Sequence, residues 1–189
     1  MRTFAMPPVR DPQVSVIVPI YNGLSDLPAL GECLLAQTYP RDRVEYLLVD
    51  NNSQDGTLAA LHQFAAQVEP QGLTVKPLSE PHIQSSYAAR NRGIRAATGS
   101  LLAFTDADCR PQPPWLEKLV QPFADAAVTL VVGEIQALPS RNWLERYADY
   151  REILTQKHTL AHSFLPYGQT ANLAVRRSVL AQTGLFRPY

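Results

Sequence analysis

A chain of 189 residues, 46% of them apolar, has enough material for one full hydrophobic core and points to a single folded domain. Seventeen Lys and Arg balance 17 Asp and Glu, so there is no net field to hold a nucleic-acid backbone, and 18% charged residues against that apolar content excludes disorder. The 16 prolines come without a Gly-X-Y period and with only 9 glycines, which excludes collagen and flexible linkers.

Residues 1–13 read as an N-terminal extension, and residues 14–189 as the folded domain. The first predicted strand is Val14 to Pro19, β-branched and nearly uniform, as a strand buried on both faces should be. A helix follows with Leu27, Leu30 and Leu34 on one face and Ser25 as its cap. Tyr46 to Val49 is the second strand. Its helix begins near Ser53 or Asp55 and carries Leu58, Leu61, Ala65 and Val68. A weaker third strand spans Leu73 to Leu78, and a helix from about Ser85 to Ala97 stops at Gly99. Leu101 to Thr105 is strand four. Pro111, Pro113 and Pro114 open a helix with Trp115, Leu119, Val120 and Phe123. Val128 to Val132 reads as strand five. One long helix from about Asn142 to His158 carries Trp143, Tyr147, Tyr150 and Leu154 on a stripe. Ala171 to Val175 is the last strand, and Ser178 starts a short final helix. Strands alternating with helices predict an α/β domain with a mostly parallel central sheet.

In such a sheet, ligands bind beyond the carboxyl ends of the strands. Three polar clusters are expected there: Pro19-Ile20-Tyr21-Asn22, Asp50-Asn51-Asn52-Ser53 and Asp106-Ala107-Asp108. Asp106 and Asp108, at i and i+2 on an extended segment, point the same way. Two carboxylates held together repel unless a cation or proton intervenes, so Mg²⁺ or Mn²⁺ with a diphosphate is the natural guest. The alternative is a turn in which Asp caps the proline-rich helix. Asp50 ends an apolar strand and is a candidate for a nucleobase or ribose hydroxyl, or else a turn-former with Ser53. Arg90 suits a diphosphate, or an ordinary surface ion pair. The Trp143 stripe reads first as a packing face; an acceptor groove or a helix lying on a membrane surface are its other uses.

The four histidines show no convergent ligand spacing. Cys33 and Cys109 lack metal-type spacing and are too few for a disulfide scaffold, so inert buried thiols in a reducing compartment are expected. Residues Met1 to Pro12 contain no apolar core of a signal peptide, and no apolar run approaches 18 residues. A cytoplasmic protein is the expectation.

Taken together, four stretches resemble the family-2 glycosyltransferases: Val14 to Asn22, Leu48 to Thr57, Ala89 to Ile94 and Phe104 to Asp108. Order, spacing and strand context all match, and the likeness runs essentially from Val14 to the end. The resemblance implies the GT-A fold, a Rossmann-like α/β/α sandwich. It also implies a hexosyltransferase that moves a sugar from a nucleotide-diphospho-sugar to an acceptor hydroxyl with inversion, in polysaccharide or glycan synthesis. Pro19, Tyr21, Asn22, Asp50, Asn51, Arg90 and Asp106 would then bind the nucleotide. Asp106 and Asp108 would hold Mg²⁺ or Mn²⁺, with Asp108 the more direct ligand. Gly168, Gln169, Ala171 and Asn172 would lie near the donor sugar or acceptor.

The family often has a second acid where this chain has Asn51, which leaves base identity open. The acceptor would be a glycan or lipid-linked, with peripheral contact to the inner face of the plasma membrane as one option. The family's base follows a Gly-Gly-Phe-like turn, here Gly184-Leu185-Phe186, by about a dozen residues or more. It is therefore expected beyond Tyr189, in a chain that is truncated and inactive alone; Glu134 is the nearest in-chain substitute. The competing readings are a non-catalytic nucleotide-sugar-binding module and a sugar nucleotidyltransferase. The latter wants a Gly-rich loop with Arg or Lys after strand one, and Pro19 to Gly23 has neither.

Overall fold

The computed structural model describes residues 12–138, 142–150, 155–164 and 166–187. Six strands form one sheet in the order β3-β2-β1-β4-β6-β5: β1 (Val14–Ile20), β2 (Val44–Asp50), β3 (Thr74–Ser79), β4 (Leu101–Phe104), β5 (Leu130–Val132) and β6 (Leu173–Arg176). β1 pairs in parallel with β2 and β4, and β2 with β3, while β6 runs antiparallel to both β4 and β5. The sheet is thus mostly parallel, as the alternating pattern requires.

The seven helices among the described residues are α1 (Leu27–Leu35), α2 (Thr57–Val68), α3 (Ser86–Ala96), α4 (Trp115–Val120), α5 (Trp143–Tyr150), α6 (Gln156–Leu160) and α7 (Arg177–Thr183). β1 explains the sandwich. Val14, Val16, Val18 and Ile20 face one core, with Leu30 and Leu34 of α1, Leu61 and Val68 of α2 and Leu116 of α4. Ile17 faces the other core, with Ala89 and Ile94 of α3 and Val179 and Leu180 of α7. A strand with helices on both sides has no solvent face, which is why its sequence is apolar apart from the buried, hydrogen-bonded Ser15.

Several local expectations need correction. Ser25 does not cap α1: the helix opens after Asp26 with a proline in its first turn and no side-chain cap. The Asp26 carboxylate instead accepts from Arg110 Nη2 at 2.7 Å. α2 starts at Thr57, after Gly56 at φ +90°, and Asp55 Oδ1 accepts from the Thr57 amide at 3.0 Å. Gly99 is no left-handed helix stop. A Cβ there would lie 2.7 Å from the Ser15 backbone nitrogen, so glycine is required by the close approach of β1.

The single helix over 142–158 is two helices. Thr155 is extended (φ −83°, ψ 144°) and caps α6 through its side chain, accepting from the His158 amide; residues 151–154, including Leu154, lie outside the described ones. Trp143, Tyr147 and Tyr150 are not a packing face: they are 71%, 54% and 84% exposed. Cys33 and Cys109 are free and only half-buried, with burial the main cause of their raised thiol pKa values. No described helix is long and apolar enough to cross a membrane.

Candidate functional site

The strand order sets the site. From β1 the chain passes to β2 on one side, while β4 flanks it on the other, so the order of strands reverses between β1 and β4. A crevice opens at such a reversal, beyond the carboxyl ends of the strands. Here Phe104, the last residue of β4, stands opposite Ile17, three residues before β1 ends. The loop after β4 therefore turns away beside Pro19 to Asn22. The resulting cleft is about 420 Å³, lined by Pro19 to Gly23, Asp26, Asn51, Ser86, Arg90 and Asp106 to Asp108. That volume suits a small ligand. A second concavity of about 450 Å³, between Ser100 and Arg177, lies at the opposite rim. Its Arg176 is spent on the carbonyls of Phe123, Asp125 and Val128. The convergent polar groups belong to the first.

Two loops are stitched together above β1 and β2. The Asn22 amide (φ +47°) donates to Ser53 Oγ, the Gln54 amide donates to Asn22 Oδ1, and the Gly23 amide donates to Thr57 Oγ1. Asp55 joins them by accepting from Leu24 and Thr57, and the Thr57 hydrogen bond is the main cause holding its carboxyl below the usual value. Asn22 Oδ1 is thus already occupied in shaping the rim. Tyr21 is half-exposed at the cleft edge.

Asp50 is buried at the end of β2. Its Oδ2 accepts from the Ser53 amide at 3.3 Å, and its Oδ1 is buried without a hydrogen bond. A desolvated acceptor with no donor is costly unless a ligand completes it. Asn51, also buried, donates from Nδ2 to the carbonyls of Glu80 (3.1 Å) and Ile83 (2.8 Å).

Arg90, on α3, is 8% exposed and donates from Nη2 to Asp106 Oδ1 at 2.6 Å, while its Nε is buried without a partner. This is not an incidental surface pair: the cation is held in the cleft against one of the two carboxylates. Asp108, two residues on, is exposed at the same wall. Among the described residues no group of three His, Cys, Asp or Glu forms a metal cage. A magnesium-type ion does not require one. One or two carboxylates suffice when phosphate oxygens and water complete the shell. Asp106 and Asp108 both line the cleft, though on a turn closed by the Cys109 amide on the Asp106 carbonyl and not on the extended segment expected. Arg110 braces their loop, donating to the carbonyls of Ala107 and Cys109 as well as to Asp26.

The stretch Gly168 to Asn172 reaches the same rim because β6 is antiparallel, so its start lies beside the end of β4. Gln156, buried on α6, holds this stretch: its amide exchanges bonds with the backbone of Gln169 and donates to the Asn172 carbonyl. Asn172 bonds Trp115 Nε1 and the Glu134 carbonyl, and a Cβ on Gly133 would strike it. The Glu134 side chain is exposed. Asp26, Ser86, Arg110 and Gln156 escape sequence reasoning. Asp26 and Arg110 are partners 84 positions apart, Gln156 bonds backbone 13 and 16 positions away, and Ser86 enters the cleft only through the placement of α3.

The profile described as Glycosyl transferase family 2 matches residues 15–184. The glycosyltransferase AglE of Haloferax volcanii is 36% identical over 177 residues, covering 93% of this chain and 56% of that protein. The pre-mycofactocin glycosyltransferase of Mycobacterium tuberculosis is 30% identical over 183 residues, 92% of this chain and 35% of its own length. Among solved structures, the mannosyltransferase PcManGT from Pyrobaculum calidifontis, in complex with GDP-Man and Mn²⁺, superimposes with a TM-score of 0.75 at 29% identity, covering 97% of this chain and 50% of that one. The chain thus spans from about a third to just over half the length of these relatives. The sheet order, the cleft at its reversal point and these matches agree: the fold is GT-A, and the chain belongs to glycosyl transferase family 2.

Proposed function

We propose that this chain forms the donor side of an inverting glycosyltransferase, in which a nucleotide-diphospho-sugar lies in the β1–β4 cleft and an acceptor hydroxyl displaces the diphosphate. The observation that carries the reading is the meeting of Arg90, Asp106 and Asp108 in one cleft with the unsatisfied Asp50 carboxylate close by on β2. Asp50 Oδ1 accepts from a base or ribose donor, and Pro19 and Tyr21 form the adjoining wall. Asp106 and Asp108 are the carboxylates that would hold a divalent cation, with diphosphate oxygens and water completing its shell. When bound, that cation offsets the negative charge that develops on the leaving diphosphate. Arg90, already beside Asp106, presents its guanidinium to the same phosphates. Gly168 to Asn172 stand at the rim where the sugar and acceptor meet. A carboxylate base takes the acceptor proton, and we assign none of the described residues to that role.

The relative bound to GDP-Man and Mn²⁺ supports a sugar nucleotide and a divalent cation as ligands. A thermal-shift panel of GDP, UDP and dTDP and their sugar conjugates, run with Mn²⁺ and with EDTA, tests the reading. A nucleotide-dependent rise in Tm that is larger with Mn²⁺ supports it. Equal curves with and without every nucleotide overturn it.

A further inference from the structure

Resting on the nucleotide-binding reading of the cleft, we propose that Asn51 is a positioning residue that sets Ser86 and Arg90 in place. Both Nδ2 hydrogens are spent on the carbonyls of Glu80 and Ile83, at 3.1 and 2.8 Å, and its backbone amide donates to Ile20. The loop it grips is closed from the other side. The Glu80 amide donates to the Asp50 carbonyl, and the Glu80 carboxylate accepts from the amides of His82 and Ile83. The Ile83 carbonyl that takes the Asn51 hydrogen also takes the Ser85 amide at 2.9 Å. Ser85 then caps α3 through Ala88, and the first two turns of α3 deliver Ser86 and Arg90 into the cleft. A continuous path of hydrogen bonds therefore runs from the end of β2 to the start of the helix that holds Asp106 through Arg90.

In this chain an amide matches the loop it meets. Two carbonyls converge on it, so a group with two hydrogens to give is satisfied, and a carboxylate is repelled unless protonated. The charged and titratable neighbours are Asp50 on β2, Glu80 and His82 on the loop, and Arg90 and Asp106 across the cleft.

The test is nucleotide affinity, by titration with the diphosphate that best stabilises the parent, for the parent, N51A and N51D between pH 5 and 8. The parent run subtracts the titration of the neighbours. N51D is expected to bind about tenfold more weakly at pH 8 and to recover toward pH 5, where a protonated carboxyl again donates to one carbonyl. N51A should be weak at every pH. Amide hydrogen exchange at His82, Ile83 and Ser85 gives a readout that needs no ligand, and both variants should exchange faster there while the β1 and β2 amides stay protected. Parent-like affinity in N51D across the range, or unchanged exchange in the loop, overturns the positioning role. A parent that binds no nucleotide while its loop exchange responds as expected overturns the nucleotide reading and leaves the loop clamp standing.

Discussion

Asn91 and Phe186, 95 positions apart, exchange two hydrogen bonds: Asn91 Nδ2 donates to the Phe186 carbonyl at 2.8 Å, and the Phe186 amide donates to Asn91 Oδ1 at 3.0 Å. The Phe186 ring meets Phe104 edge-on, with centroids 5.5 Å apart. Asn91 follows Arg90 on α3, and Phe104 ends β4 just before the two aspartates. One residue of α3 thus faces the cleft, while the next fastens the Gly184 to Phe186 turn beneath it. Asn91→Ala should lower stability by about 1–2 kcal/mol, since a part-buried amide and carbonyl of the turn lose their partners. Urea unfolding at neutral pH measures it, and a loss below about 0.5 kcal/mol would mean that water replaces the amide fully.

Glu45 gives the fold a defined acid limit. Burial alone would raise its pKa, but Lys76, the Ser15 hydroxyl and the amide and hydroxyl of Thr98 outweigh that and hold it at about 2. The unfolded chain protonates this group near its ordinary 4.5 and the folded chain only near 2, so its contribution is complete above 4.5 and lost as the pH falls through about 2. Glu45→Gln should be less stable by about 1.5–3 kcal/mol at pH 7, and the gap between the two proteins should narrow as the pH falls from 4.5 toward 2. A gap independent of pH would mean that packing, and not charge, holds this network.

The two cleft aspartates should separate by role. With Mn²⁺ and nucleotide diphosphate, Asp108→Asn should lose the metal-dependent part of the thermal shift while its unliganded Tm stays within a degree or two of the parent. Asp106→Asn should lose that shift and also change the unliganded Tm, because Arg90 loses its 2.6 Å partner. Equal Mn²⁺ and EDTA shifts in the parent would remove the cation from the site.

Gly99→Ala should cost about 1–3 kcal/mol, because the added methyl meets backbone of β1 on a fixed strand and cannot be relieved by a side-chain rotation. The urea midpoint is the measurement. A neutral outcome would show that the β1–β4 register can open by several tenths of an ångström.

The strands β1, β2 and β4 were legible because burial on both faces leaves short, largely apolar runs, whereas the cap that starts α3, Ser85, was not singled out. The same period misled over 142–158. Trp143, Tyr147 and Tyr150 keep helical spacing, yet Thr155 is extended and caps a separate helix, α6. Asp106 and Asp108 were readable as a site through their place after β4, and Arg90 through its place on the helix before it, whereas their pairing was not. Nor could the sequence reveal that Asn51 bonds two carbonyls 29 and 32 positions away, or that Asp26 prefers Arg110 over its own helix. Hydrogen-bond partners across the chain carry no periodic trace.

The Glu45 network sits at the rim of the sheet opposite the cleft, where Ser15, Glu45 and Thr74 lie side by side across β1, β2 and β3. The buried network and the cleft therefore sit at separate ends of the same strands, with Val16 to Val18 of β1 and Tyr46 to Val49 of β2 between them. Substitutions that harden the lower rim, such as a fuller ion pair around Lys76, can be combined with changes in the cleft and should act additively, which gives this scaffold two independently adjustable halves.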